Sequence, residues 1–271
     1  MGITHLCFGL SYLSALGLEL VQQFRPARVV RLLSLFFGVA GLLAHSIFLV
    51  AHHPNPASAY GSLLLLAWVL SVFYLYGSFH TQGRSWALFV LPLVLAFVWL
   101  SFAFYGKTDN LGEWFSGEHF WGAVHGLFVL AAAVGITVAF LASVMYLLQV
   151  DRLRRKLSPL GGLKLLSLER LETMNRRAIN LAFPLLTAGL LLGAIRAPLS
   201  FGVAESWTTV KFLGTGGLWV VALLLLYLRY GVHLSSRRLA LLTFVAFGLM
   251  LIALVAAHPL AGGASNEVPT P

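Results

Sequence analysis

Eight apolar runs of about 20 residues constrain this chain more than any other feature of its sequence. They cover residues 3–21, 32–51, 60–79, 86–105, 121–149, 178–197, 212–230 and 239–258. A run of this length crosses the ~30 Å hydrocarbon layer of a membrane as a helix. The short alternating strands of a membrane barrel are missing from the sequence, and an open sheet would leave backbone groups unpaired in lipid. The pattern therefore predicts an all-α, polytopic membrane protein with eight transmembrane helices.

The composition agrees with a membrane protein and argues against soluble classes. Apolar residues make up 59% of the 271 residues, and charged residues make up 10%, whereas soluble domains carry about 25% charged residues. The net charge of +9 does not indicate a nucleic-acid partner, because basic cytoplasmic loops account for it. We expect one transmembrane domain over residues 1–260 and a disordered external tail over residues 261–271.

The distribution of Lys and Arg predicts how the helices are oriented. Fifteen of the eighteen lie in alternate connections on one side: Arg25, Arg28, Arg31, Arg84, Arg152, Arg154, Arg155, Lys156, Lys164, Arg170, Arg176, Arg177, Arg229, Arg237 and Arg238. The other side holds Lys107, Arg196 and Lys211. Because cytoplasmic loops are enriched in Lys and Arg, we expect both termini outside, in a bacterial inner membrane.

The longest polar stretch, residues 151–177, carries eight of these cations. We expect it to lie on anionic lipid headgroups at the inner surface. Residues 163–171 within it are either a short amphipathic helix on that surface or part of a plain basic connector.

The histidines point to a site on the outer side. Seven of the nine are expected there, and three of those seven lie within or at the edge of an apolar run: His45, His125 and His258. Their expected depths are about 9 Å, about 6 Å and close to the surface. An imidazole in lipid is costly unless it is paired, so these residues are candidates for function, with a hydrogen bond to a neighbouring carbonyl as the alternative for each.

The surroundings of these histidines favour haem over other metal centres. No Asp or Glu lies in the three apolar runs that hold them, and Cys7 is the only cysteine. Neutral imidazoles in an apolar pocket suit haem iron, because the macrocycle supplies four ligands. Trp121 and Trp207 are expected as interfacial anchors, with porphyrin stacking as the alternative. Arg196 is expected to snorkel, with a contact to a haem propionate as the alternative.

Other motifs are few. Gly189 and Gly193 form a GxxxG motif in the sixth run, which is typical of close helix packing. No hydrolytic or phosphoryl-transfer motif is present in the sequence, so we do not expect an enzyme.

Two stretches resemble a known family: residues 166–172 (LSLERLE) and residues 175–194 (NRRAINLAFPLLTAGLLLGA). They resemble the cytochrome c assembly membrane proteins, the CcsA, ResC and HemX-like proteins. Residues 44–54 (AHSIFLVAHHP) and 124–126 (VHG) look like two further segments of that family. The resemblance implies a protein that carries or presents haem for attachment to apocytochromes, with His45, His125 and His258 as its ligands. We expect His45 and His125 to approach one another in the outer leaflet.

Two departures separate this chain from the haem-delivering members that it resembles. The acidic residue expected after the His-Pro loop is missing, since Tyr60 and Gly61 precede Ser62. Where those members have a Trp-rich WWD segment, this chain has only residues 205–211 (ESWTTVK) between the sixth and seventh runs. These two departures point to the HemX-like branch.

Three classes of function follow from the sequence and the resemblance. The first is a haem-binding accessory of cytochrome c maturation, with haem b as cofactor and apocytochrome c or another assembly protein as partner. The second is a HemX-like regulator or scaffold of haem biosynthesis that acts through its basic cytoplasmic loop. The third is a small-molecule transporter.

Overall fold

A computed structural model describes residues 5–54, 58–80, 86–104, 120–155, 166–200 and 210–255. These residues form eight helices and no strand: α1 (His5–Phe24), α2 (Arg28–His52), α3 (Ala59–His80), α4 (Trp86–Phe102), α5 (Phe120–Arg154), α6 (Leu168–Ser200), α7 (Val210–Tyr230) and α8 (Ser236–Val255). The all-α architecture predicted from the apolar runs is confirmed. The tail, residues 261–271, lies outside the described residues.

Six of these helices are long and apolar enough to cross a membrane, namely α2, α3, α5, α6, α7 and α8. Helix α4 is apolar but has only 17 residues, and α1 carries Glu19 within its length. The chain is therefore a multi-pass membrane protein. The count of eight spans and the orientation with both termini outside stay predictions.

Helix α6 begins ten residues before the start of its apolar run. The sequence left residues 163–171 as either a short amphipathic helix on the membrane surface or a basic connector. Residues 168–171 are neither, because they form the first turn of α6. The backbone N–H of Arg170 donates to the Ser167 hydroxyl at 3.3 Å, which is how an N-cap serine starts a helix. Leu171 is fully buried. The charged residues that follow Leu171 lower the mean hydropathy of this stretch. The start of the helix predicted from hydropathy was therefore too late.

Consecutive helices pack antiparallel and form two halves, α1–α4 and α5–α8. In the first half, Glu19 near the end of α1 accepts a hydrogen bond from Ser34 near the start of α2, at 2.8 Å. In the second half, Gly135 of α5 packs against Ala182 of α6. The halves meet where α3 and α4 contact α5 and α8.

These contacts define two ends of the bundle, which we name by their residues. The histidine end holds the start of α1 and α5 and the end of α2 and α6, with His5, His45 and His125. The arginine end is the opposite one, with Arg154 and Arg229 at the ends of α5 and α7.

A hydrogen-bonded network joins four helices near the arginine end. The Asn175 side-chain amide donates to the Ala139 carbonyl at 3.0 Å and to the Ser143 hydroxyl at 2.9 Å. It also lies 3.3 Å from the Thr243 hydroxyl, and Arg229 donates to its Oδ1 at 2.6 Å. Because lipid offers no partners, polar side chains in a membrane bundle hydrogen-bond across helices in this way. The network orders the second half of the bundle.

Helices α1 and α2 meet along two stripes with alternating spacings of three and four residues. The α1 stripe is His5, Phe8, Tyr12, Ala15, Glu19 and Gln22, and the α2 stripe is Ser34, Gly38, Gly41, His45 and Phe48. This spacing keeps one face of each helix against its partner along its whole length. A tyrosine ring packs directly against each of these glycines. A Cβ atom on Gly41 would lie 2.8 Å from Tyr12, and one on Gly38 would lie 2.7 Å from Tyr74.

Candidate functional site

His45 lies on the α2 stripe, and its side chain is completely buried, at 0% exposure. Its imidazole stacks on the Phe8 ring, with 4.3 Å between centroids and 3° between planes. The Tyr12 hydroxyl lies 3.4 Å from Nδ1. The other nitrogen, Nε2, is buried and has no hydrogen-bond partner among the described residues. A buried polar atom of this kind calls for an explanation, because its desolvation is not offset by a bond.

Two more histidines lie close to His45 in the first half. His5 is buried at the start of α1, and its Nε2 hydrogen-bonds the Tyr60 hydroxyl of α3. Its ring contacts Phe8 and also Phe48, which stacks on His52 at 4.2 Å. Aromatic rings therefore separate and orient all three imidazoles.

Sequence reasoning placed His5 and His52 on the outer side but left both outside the candidate site. The signal that could have found them is the helical spacing. His5 begins the α1 stripe, and His52 follows His45 by seven residues on the same face of α2. Residues three, four and seven positions apart share a helix face, so a stripe analysis would have grouped these histidines.

His125 lies in the second half, one turn into α5, and it contacts α6. Its Nδ1 is 2.7 Å from the Gly189 carbonyl oxygen. The GxxxG motif admits the ring, because a Cβ atom on Gly193 would lie 2.9 Å from Cε1 of His125. A Cβ atom on Gly189 would lie 2.9 Å from Val129. The prediction that this motif serves close helix packing is confirmed.

The Gly189 contact has a chemical consequence for His125. A backbone carbonyl only accepts, so Nδ1 carries the proton and the lone pair lies on Nε2. Histidines that bind metals generally donate their other ring N–H to a carbonyl or carboxylate in this manner, which sets the tautomer and the ring orientation.

The two central candidates are at the same end of the bundle but in different halves. His45 contacts α1 residues, and His125 contacts α6 residues. These contacts do not test the expectation that the two imidazoles approach one another in the outer leaflet, and it stays a prediction.

The remaining candidates are only partly described. Trp121 lies near the start of α5 with 50% of its side chain exposed, as an interfacial anchor would. Arg196 lies in the last turns of α6. Trp207 and His258 fall outside the residues that the structure describes.

The imidazoles at this end are the type of ligand that haem iron takes. Within the described ranges, no group of three or more His, Cys, Asp or Glu side chains is arranged to hold a metal ion. Haem iron needs only one or two axial ligands. His45 is buried among aromatic side chains, and His125 is part-buried against α6.

Comparison with known proteins agrees with the resemblance noted in the sequence. The model of the cytochrome c assembly protein family matches residues 57–258. The matched segment includes His125 and His258, whereas His45 and the α1–α2 pair precede it. No curated protein and no solved structure matches the chain.

The matched segment is well over half of the chain and extends from α3 past the end of α8. The family match supports a role in cytochrome c biogenesis. This multi-pass membrane chain belongs to the cytochrome c assembly protein family.

Proposed function

We propose that this protein binds haem at its histidine end and handles it during cytochrome c maturation, without catalysing a reaction of its own. His45 and His125 are the proposed axial ligands, and His258 is the alternate ligand. Haem b would be the cofactor, and an apocytochrome c or a second assembly membrane protein would be the partner.

The observation that carries this proposal is the buried Nε2 atom of His45. It lies in an apolar bundle with no hydrogen-bond partner among the described residues, and an unsatisfied polar atom in lipid costs several kcal/mol, on the order of a lost hydrogen bond or more. A ligand that accepts the imidazole lone pair would offset that cost. Natural proteins place intramembrane imidazoles at functional sites for the same reason.

His125 supports the proposal independently. Its Nδ1–H bond to the Gly189 carbonyl fixes the tautomer and the orientation of the ring, as in histidines that bind metals. Haem, when bound, supplies an iron centre whose porphyrin leaves axial positions for imidazole. Trp121 and Arg196, both near this end, are the proposed contacts of the porphyrin plane and of a propionate.

The proposed orientation places the histidine end at the outer face of a bacterial inner membrane. Eight of the fifteen cations expected in the cytoplasm lie between Asp151 and Arg177. The positive-inside rule then puts both termini outside. Reporter fusions after Lys156 and at Asn266 should read as cytoplasmic and external, respectively, and a cytoplasmic C-terminus would contradict the eight-span topology.

The haem proposal is tested by absorption spectroscopy of the full chain after mild detergent extraction, with haem supplied. Two imidazole ligands produce a low-spin haem with a Soret band. His45→Ala or His125→Ala should convert it to high spin or release the haem, because a strong-field ligand is lost. His80→Ala, at the arginine end, is the matched control and should leave the spectrum unchanged.

Two outcomes contradict the proposal. One is the absence of a Soret band after haem is supplied to folded protein. The other is a bound haem whose spectrum is unaltered in His45→Ala, His125→Ala and His258→Ala alike. In either case the histidines act as hydrogen-bonding residues between helices, worth about 0.6 kcal/mol each.

A further inference from the structure

A pocket of about 530 Å³ lies at the arginine end, between the end of α5 and the start of α8. Three arginines line it, namely Arg154, Arg237 and Arg238, together with three hydroxyl-bearing and two aliphatic residues that include Ser235, Ser236 and Leu241. Its volume is within the range of small-molecule sites, which are usually about 300 to 1,000 Å³. The pocket is therefore large enough for a polar headgroup.

The arginines of this pocket form no ion pair with an acidic side chain in the described ranges, although Glu172 lines a neighbouring small cavity that also contacts Ser236. Asp151 is the acidic residue nearest to Arg154 along α5, and it pairs with Arg155 instead, at 2.9 Å. Arg154, Arg237 and Arg238 have no acidic partner in the part of the chain that the structure describes. Three like charges around one cavity repel each other, so an anion in the cavity would be held by all three.

The donors around the pocket suit a phosphate group in particular. Guanidinium groups bind phosphate oxygens through two parallel N–H bonds, and serine hydroxyls add single donors. Ser236 is the first residue of α8, and the first-turn amides of Arg238 and Leu239 donate to the Ser235 carbonyl, at 3.0 and 3.2 Å. The positive end of the α8 dipole adds to the same field.

Apolar side chains continue from the pocket along the membrane-facing surface of α8. Leu241 lines the pocket and is 53% exposed, and Val245, one turn further along, is 51% exposed. A ligand with a phosphate at one end and an alkyl chain at the other matches this arrangement. A free phosphate ion would use only the polar part.

We propose that this pocket binds the phosphate headgroup of an anionic phospholipid, with its acyl chain along Leu241 and Val245. The site goes beyond diffuse attraction of the basic loop to the membrane, because it requires these three arginines around one cavity. It does not depend on haem binding.

The test is native mass spectrometry of the full-length protein in detergent, with phosphatidylglycerol or phosphatidylcholine of identical acyl chains as probe. The wild type should bind a first phosphatidylglycerol more tightly than phosphatidylcholine. The triple variant Arg154→Gln, Arg237→Gln and Arg238→Gln should lose that preference, by about fivefold for each arginine replaced.

The matched control is the triple variant Arg25→Gln, Arg28→Gln and Arg31→Gln. These arginines lie at the same end of the bundle, at the α1–α2 connection, and all three are exposed. The control should keep the wild-type preference. An equal loss in both triple variants would overturn the proposal, since it would reduce the effect to general surface charge.

Two further arms make the result specific. The single variant Arg238→Gln should have a circular dichroism spectrum like that of wild type. Its preference for phosphatidylglycerol over phosphatidylcholine should fall about fivefold, which separates a loss of binding from misfolding. Inorganic phosphate and glycerol phosphate should fail to displace phosphatidylglycerol at concentrations where the lipid is bound. Displacement by inorganic phosphate would overturn a lipid as the source of the phosphate group.

Discussion

The two halves of the bundle each hold an imidazole at the histidine end, and they hold it by different means. His45 is enclosed by aromatic rings of the first half, with Phe8 stacked on it and one nitrogen unpaired among the described atoms. His125 is held by a 2.7 Å hydrogen bond to a backbone carbonyl of the second half. The first is positioned by shape, and the second is positioned by a directional bond.

The difference shows how a helix bundle in lipid can orient a polar ring without a charged partner. Ring stacking orients the plane of His45 but leaves its Nε2 without a hydrogen-bond partner among the described residues. The glycines of α6 bring the His125 ring against the backbone, where a carbonyl that already serves its own helix accepts a second bond. Three kinds of substitution separate these two mechanisms. One removes the ring stacked on His45, one fills the space beside the α6 glycine, and one removes the Tyr12 hydroxyl near His45.

The largest effect is expected for Gly193→Leu, which fills the space of the His125 ring. A Cβ atom alone would already lie 2.9 Å from the ring, so the whole leucine side chain forces α5 and α6 apart. We expect the free energy of unfolding to fall by about 3 kcal/mol, measured by denaturant titration in mixed micelles.

Gly126→Leu is the control for this change, one residue away from His125. No described atom lies within 4 Å of a Cβ on Gly126. Its stability should remain within about 1 kcal/mol of wild type, since leucine also favours the helix. Equal losses for both variants would contradict the assigned role of the α6 glycines.

An intermediate effect is expected for Phe8→Ala, which removes the ring stacked on His45. The unfolded helix still keeps this residue in lipid, so the loss comes from the cavity left in the folded bundle. A cavity on the order of 100 Å³ costs about 2 kcal/mol. Phe36→Ala, on the exposed face of α2, should cost less than about 0.5 kcal/mol. A smaller loss for Phe8 than for Phe36 would show that stacking does not hold His45.

The smallest effect is expected for Tyr12→Phe, which removes only the hydroxyl near His45. The contact is long, at 3.4 Å, and hydrogen bonds in membrane bundles contribute about 0.6 kcal/mol on average. The ring remains packed on Gly41, so the free energy of unfolding should fall by less than about 0.6 kcal/mol. A loss near 2 kcal/mol would mean that the hydroxyl, rather than the stacking, positions the imidazole.

Helix positions could be predicted from the sequence because burial in lipid leaves the backbone few alternatives. Each of the eight apolar runs corresponds to one helix, and the GxxxG motif packs as expected. The early start of α6 could not be read from hydropathy, since Ser167 caps the helix within a charged stretch. Local capping chemistry decided that boundary.

The candidate site was predicted less completely than the fold. His45 and His125 became candidates because an imidazole in an apolar run is unusual. The association of His45 with His5 was missed, because it depends on which faces of α1 and α2 meet. Hydropathy is blind to that pairing, whereas the stripe spacing carries it.

The sequence alone determined that this chain forms apolar helices in a membrane, because lipid excludes unpaired backbone groups and length sets what can span it. It also marked the end of the bundle where histidines collect. Only the tertiary structure decided the environment of each imidazole. The stacking of Phe8 on His45 and the approach of His125 to Gly189 depend on helix pairing and rotation. Helix pairing and rotation are determined by how complete helix faces pack against each other, and hydropathy along the sequence does not specify that packing by itself.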